Sequence, residues 1–211
     1  MPILYFGTDQ FDVPEFQNRK VIDEINMSMS AFDCMLPDDA GIYCSSELTT
    51  GKHFYYDLLK KYDARSDDEL KEKLDEDEFK RVKNELIQAN VARGSEFAEK
   101  LRARGLINVV TPGPYFAKGF DQQHYLYLWE LFIKQKTYEV RFNFDWQYSN
   151  GCTFEYAVAA RKGIPRLDHE GNAIQLNNAI EKTEAAVSEL RNADFVVNKL
   201  EHYLQLLKSI E

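Results

Sequence analysis

The residues best suited to chemistry lie in Asp145-Trp-Gln-Tyr-Ser-Asn-Gly-Cys-Thr-Phe-Glu155 and the segment that follows, Tyr156 to Pro165. A strand-like run, Tyr138 to Phe144, feeds a polar turn at Ser149-Asn150-Gly151, and a short amphipathic segment then runs to Gly163. A strand, a tight turn and a helix N-terminus together present backbone N–H groups that can hold an anion. Glu155 is expected in the first turn of that helix, beside whatever the turn binds. A carboxylate next to an anion site is repelled by it, so its presence there suggests a chemical task. Read on its own, however, a glutamate at this place also fits plain compensation of the helix dipole.

The elements that must position these residues follow from pattern. Ala40 to Ser46 is a short apolar run suited to a central strand, and it ends in the polar loop Ser45-Ser-Glu-Leu-Thr-Thr-Gly51. His53 to Tyr62 reads as a helix. Residues 66–104 carry apolar residues at helical spacing, with Ser66 and Glu69 as a capping-box pair. Two helices fit that stretch, the second from about Ser95 to Arg104 and closed by Gly105. Leu106 to Thr111 is a second strand, stopped by Pro112-Gly-Pro114. A helix follows from Asp121 to about Lys136, then the strand at 138–144, and Arg166 to Gly171 is a last short strand and turn. From Leu176 on, Ile180, Val187, Leu190, Val197, Leu200, Leu204 and Leu207 mark amphipathic helices packed on the body or on a second copy. Ile3 to Phe6 reads as a short strand, and the rest of 1–38 has weak periodicity and reads as an arm or lid.

Alternating strands and helices predict an α/β fold, Rossmann-like, with a mainly parallel sheet flanked by helices. The expected division is an N-terminal arm at 1–38, an α/β domain at 39–172 and a C-terminal helical segment at 173–211. In such sheets ligands sit outside the carboxyl ends of the strands, where loops 45–51, 112–121 and 145–155 converge.

Bulk properties narrow the classes. The chain has 211 residues, 44% hydrophobic and 13% aromatic, as a globular protein does. Its formal net charge of −9 argues against a grip on polymeric nucleic acid, which needs clustered Lys and Arg. No apolar run is long enough to span a membrane and the N-terminus lacks a signal-peptide plan, so a cytoplasmic protein is expected. Three cysteines, Cys34, Cys44 and Cys152, lack metal-ligand spacing and read as reduced thiols. Cys152, in the same turn, reads as a small buried residue rather than a thiolate, because Glu155 would oppose its charge. Neither a P-loop nor a dinucleotide fingerprint is present.

The pairing of Ile42-Tyr-Cys-Ser-Ser-Glu-Leu-Thr-Thr-Gly51 with Ser149-Asn-Gly-Cys-Thr-Phe-Glu155-Tyr-Ala-Val-Ala-Ala-Arg-Lys-Gly-Ile-Pro165 resembles the nucleoside 2-deoxyribosyltransferase-like superfamily. Within it the motifs are most similar to the nucleoside 5′-monophosphate N-glycosidases and to uncharacterised phage and bacterial relatives. The resemblance covers about residues 40–170, with a helical insertion near 64–94. It implies that Glu155 is the nucleophile at the anomeric carbon, stabilising or trapping an oxocarbenium-like centre. It implies that Ser149, with Asn150 and Gly151, holds a 5′-phosphate, where relatives acting on unphosphorylated nucleosides carry an aspartate. Without the resemblance, Ser-Asn-Gly is equally a turn chosen for backbone geometry.

The same resemblance implies that Tyr43 orients the nucleophile or helps protonate the base, while as a strand residue it also fits a buried ring with a wet hydroxyl. It places Ser45, Ser46 and Gly51 along the nucleotide, although relatives more often have glycine where Ser45 or Ser46 stands. A second carboxylate holding a sugar hydroxyl would be Glu130, with Asp145 as the alternative, and Glu130 also reads as a solvated helix-face residue. Among Trp129, Trp146, Tyr115, Phe116 and Tyr148, one or two, Trp146 or Tyr115 first, are expected to stack on a base. The implied reaction is hydrolysis of the N-glycosidic bond of a nucleotide, with no metal or organic cofactor, because side chains supply the acid–base and covalent roles. The alternatives are base exchange by a deoxyribosyltransferase and a non-catalytic nucleotide-binding module. A homodimer or larger homo-oligomer is implied as well.

Overall fold

The computed structural model describes residues 4–6, 9–11 and 19–210. Two short strands, β1 (Leu4–Phe6) and β2 (Asp9–Phe11), pair antiparallel. The body is built on a second, four-stranded sheet of order β4-β3-β5-β6, all parallel. Its members are β3 (Gly41–Ser45), β4 (Val109–Val110), β5 (Thr137–Phe142) and β6 (Arg166–Leu167). The chain leaves β3 for one neighbour and later returns to its other side as β5, so the strand order reverses between β3 and β5. That reversal opens a crevice at the carboxyl ends of those two strands.

Strand β3 shows why the sheet has two dry faces. Its residues are buried without exception, and alternate side chains point to opposite layers. Ile42 and Cys44 pack with Phe97, Ala98 and Leu101 of α3 (Glu76–Ala103). Tyr43 packs on the other face among Trp129, Phe132 and Ile133 of α4 (Gln122–Lys136), where α5 (Asn150–Lys162) also lies. Ser45 therefore points towards the α4/α5 layer and Ser46 towards α3. A Cβ on Gly94 would come 3.3 Å from Ser46 Cβ and 3.6 Å from Thr111 Oγ1, so this glycine lets α3 lie close against the strand ends.

Several local expectations are changed by tertiary packing. Helix α3 runs unbroken through the expected junction at 94–95; the break falls earlier, where Asp75 caps it by accepting the Glu78 N–H at 2.8 Å. The helical stretch expected as an insertion near 64–94 is thus α2 (Asp67–Lys73) plus the greater part of the β3–β4 crossover helix. Ser66 does cap α2, accepting the Glu69 N–H at 3.1 Å. Residues 53–62 are helical but mostly not α-helical: beyond His53, a π-helical turn covers Phe54–Leu59 and a 3₁₀ turn Lys60–Tyr62. Strand β4 has only two residues, because Asn108 has φ 57° on one side and Pro112 follows on the other.

Much of the stretch read as an arm is helix α1 (Arg19–Met35), whose Val21, Ile25 and Met29 pack on Leu128 of α4. The strand expected at 3–6 is β1 from Leu4; Ile3 and the remainder of 1–18 outside β1 and β2 lie outside the described residues. The C-terminal helices α6 (Leu176–Asn192) and α7 (Asn198–Lys208) pack on the body. Ala179 and Leu207 join the core under α5, while Val187, Leu190 and Leu200 join Phe54, Leu58 and Leu70. No helix among the described residues is long and apolar enough to cross a membrane.

Candidate functional site

Helix α5 is bounded by the residues its sequence advertises. Ser149 is the N-cap, its hydroxyl accepting the Cys152 N–H at 3.4 Å, and Gly163 closes the helix in the left-handed conformation at φ 75°. Glu155 is the sixth residue of the helix, so it lies in the second turn rather than the first. From there it faces inward, away from the helix end, onto the end of β3.

There the carboxylate is held by two hydroxyls. Tyr43 donates to Glu155 Oε1 at 2.6 Å, and Ser45 donates to Oε2 at 2.6 Å. The two donors are alternate residues of one strand, so the pleat aims both at the same carboxylate, one per oxygen. Glu155 is 6% exposed, and Tyr43 and Ser45 are fully buried. Burial pushes the Glu155 carboxyl up to about 7, with the Ser45 and Tyr43 hydrogen bonds pulling the other way. Burial, and then the neighbouring Glu155 charge, hold the Tyr43 phenol well above its ordinary range, so it stays a donor. Cys152, one turn before Glu155, is buried; desolvation and then the Glu155 charge raise its thiol, which stays neutral.

The site is therefore a buried carboxyl poised near neutrality, fixed in both oxygens and beside the crevice. Such a group can attack an electrophilic carbon or shield a positive one, since ionisation needs only a modest rise in pH.

The turn before α5 is anchored from several sides. The Asn150 N–H donates to Thr50 Oγ1 at 3.2 Å, which ties loop 46–51 to the helix start. The Asn150 side chain is buried, and its Oδ1 has no hydrogen-bond partner among the described residues. Space remains at Gly151, where an added Cβ would meet only Ser149 Oγ at 3.9 Å. Asp145, left-handed at φ 57°, lies 3.4 Å from Lys52 Nζ at the surface. From the other side, Glu189 of α6 accepts from the Tyr148 hydroxyl at 2.5 Å and the Tyr56 hydroxyl at 2.8 Å.

Of the residues picked from sequence, Tyr43, Ser45, Ser149 and Glu155 are brought together around Cys152. Asn150, Gly151 and Gly51 lie in the two loops that Thr50 joins. Glu130 is 1% exposed rather than solvated on the helix face, and its carboxylate pairs with Lys134 one turn on in α4. Trp146 is in the core, stacked on Tyr156 with centroids 5.3 Å apart and planes 8° off parallel. Tyr115 packs edge-on against Trp129 and shares a hydrogen bond with Ser28 of α1, while Phe116 is exposed.

Three residues with a part in the geometry were not singled out by the sequence reading. These are Glu47 and Thr50, in the loop after β3, and Lys52, at the start of the helical turn that follows it. Glu47 carried a usable signal: a carboxylate just past a buried strand end, followed by a glycine. Gly51 has φ 142°, and a Cβ there would come 1.8 Å from Glu47 Oε2, so the glycine makes room for that carboxylate.

Among the described residues, no group of three or more His, Cys, Asp or Glu side chains is arranged to hold a metal ion. Comparison of the chain with family models, with curated proteins and with solved structures finds no match.

Proposed function

We propose that this chain hydrolyses the N-glycosidic bond of a nucleoside 5′-monophosphate, ribo or deoxyribo, releasing a free base and a sugar phosphate. The single observation that carries the reading is the Glu155 carboxyl, buried at the switch point of a parallel sheet and held by the Tyr43 and Ser45 hydroxyls. The resemblance of the two sequence motifs to the deoxyribosyltransferase-like superfamily supports it, because the residues those motifs assign to catalysis converge in space.

In this mechanism a Glu155 oxygen bonds to C1′ as the C1′–N bond breaks. The bonding pair leaves with the base nitrogen, which takes up a proton. Water then attacks C1′ and gives up a proton to solvent, the C1′–Glu155 bond breaks, and the sugar phosphate leaves with Glu155 returned to its carboxylate. Tyr43 and Ser45 fix the direction of the attacking oxygen and disperse its charge in the resting state. The Ser149–Gly151 turn receives the phosphate at the N-terminus of α5, and Lys52, close to Asp145 and the Tyr148 ring, offsets charge.

The test is a panel of ribo- and deoxyribonucleoside 5′-monophosphates and their unphosphorylated nucleosides, scored for free base by chromatography. Base release without an added acceptor, and faster from the phosphorylated substrate, is the expected result. Release that depends on a second base makes the chain a transferase, and binding without release makes it a binding module. The reading also includes a homodimer or larger assembly, which sedimentation at micromolar concentration checks.

A further inference from the structure

A cavity of about 500 Å³ lies on the α3 side of the strand ends, lined by Ser46, Glu47, Arg93, Phe97, Asn143 and Phe144 among others. It opens across the tip of β3 from Glu155, because Ser45 and Ser46 are neighbours that point to opposite faces. Its volume accommodates a purine or pyrimidine base with part of a sugar. Glu47 is the buried carboxyl at its wall. Its side chain is 11% exposed, and its Oε2 has no hydrogen-bond partner among the described residues.

We infer that Glu47 is the proton donor to the leaving base, which occupies this cavity while Glu155 works on C1′ from the other side of the strand tip. The inference rests on the N-glycosidase reading above and adds the acid that reading requires. Three features favour it. Gly51 leaves space that any side chain there would take from Glu47 Oε2. The oxygen so accommodated makes no bond of its own, an expensive state for a buried polar atom unless a ligand satisfies it. And Glu47 and Glu155 both act on the Cys152 thiol, each raising it by its charge.

The surroundings suit an acid. Burial is the largest influence on Glu47 and raises its carboxyl, as does Asp145; His53 and Arg93 act the other way, with His53 Nε2 at 3.5 Å and Arg93 at 3.6 Å from Oε1. His53 Nδ1 in turn lies 2.5 Å from the exposed Asp57, so a proton has a path from solvent back to Glu47 after each turnover. The step balances: the C1′–N pair passes to the base nitrogen, the Glu47 proton joins it, and the Glu47 carboxylate is reprotonated through His53.

The experiment compares Glu47→Gln with the wild type on two substrates of the same sugar phosphate. One carries a natural base; the other is the 4-nitrophenyl glycoside, whose leaving group departs as an anion and needs no proton. Loss of about 10²–10⁴-fold with the natural base is expected, with nitrophenolate release near the wild-type rate. Equal losses on both substrates, with the melting temperature kept, would overturn the assignment. Should Glu47→Gln fail to fold, the wild type alone decides. Its kcat/KM should fall at alkaline pH with the natural base and not with the nitrophenyl substrate, and identical profiles contradict the inference. A wild type that releases neither base nor nitrophenolate, or a Glu155→Gln variant that releases nitrophenolate unimpaired, refutes the underlying glycosidase reading instead.

Discussion

At the scale of single residues, Glu155 trades stability for reactivity. Its carboxyl stands at about 7 in the fold against 4.5 when free, because burial outweighs two good hydrogen bonds. A raised folded value means that the native state holds a proton the unfolded chain has lost. The neutral carboxyl's contribution is whole below the free value and is lost as pH rises through about 7, at a cost of about 3 kcal/mol once ionised. Glu155→Gln is therefore expected to melt at a higher temperature than the wild type at pH 8, with the gap closing by pH 5. Thermal unfolding at the two pH values measures this, and a variant less stable at pH 8 would mean the carboxylate is paid back by a contact not identified in the fold. The Tyr43 hydroxyl acts on the same equilibrium. Its hydrogen bond favours the ionised carboxylate, so Tyr43→Phe is expected to raise the midpoint of the acid limb in kcat/KM and to slow turnover by about 10–100-fold. An unmoved midpoint would show that the phenol does not tune Glu155.

At the scale of elements, the site depends on how one strand end meets one helix and one loop. Ser149 caps α5, and Ser149→Ala is expected to cost about 1 kcal/mol in chemical denaturation from the cap alone. The same change should raise KM for a nucleotide more than for its nucleoside. Equal effects on both substrates would leave Ser149 a cap and nothing more. Gly51→Ala forces a side chain into φ 142° and onto Glu47, so it should destabilise by about 1–3 kcal/mol and depress base release together.

These elements were unequally legible in the sequence. Strand β3, the turn at Ser149–Gly151, the stop at Gly163 and the limits of α4 follow from local chemistry that the fold respects. Helix α1 was missed although Val21, Ile25 and Met29 fall on one face: its ends carry neither an acidic first turn nor a basic last turn to announce it. Gly94 is a packing contact of α3 with Ser46 and Thr111, visible only in three dimensions, and α3 runs through it without a break. The pairing of Tyr43 and Ser45 with Glu155 spans more than 100 residues. Periodicity foretells that alternate strand residues share a face, but it does not say which helix they meet. The burial of Trp146 and Glu130 is hidden from the sequence for the same reason, since it is decided by α5 and by the α4 packing rather than by their own neighbours in sequence.

At the scale of the whole molecule, the C-terminal helices belong to the body that carries the site. Glu189 of α6 holds the Tyr148 and Tyr56 hydroxyls, so it braces the turn before α5 and the helical turn after loop 46–51 at once. Leu190 and Leu200 are fully buried in the cluster they share with Leu59 and Leu70. A chain ended at residue 172 should lose cooperative unfolding, and Leu190→Ala should cost about 2–5 kcal/mol. A truncated chain that still melts sharply would instead mark 39–172 as an independent unit.

The central claim is that Glu155 performs the chemistry, and the most direct measurement compares base release by the wild type and Glu155→Gln at pH 8. The nucleoside 5′-monophosphates are assayed with both proteins confirmed folded by thermal melting. The account predicts base release by the wild type, and a loss of at least about 10³-fold in a variant that is no less stable. Equal release by the two proteins, or none by the wild type from any substrate, would contradict it.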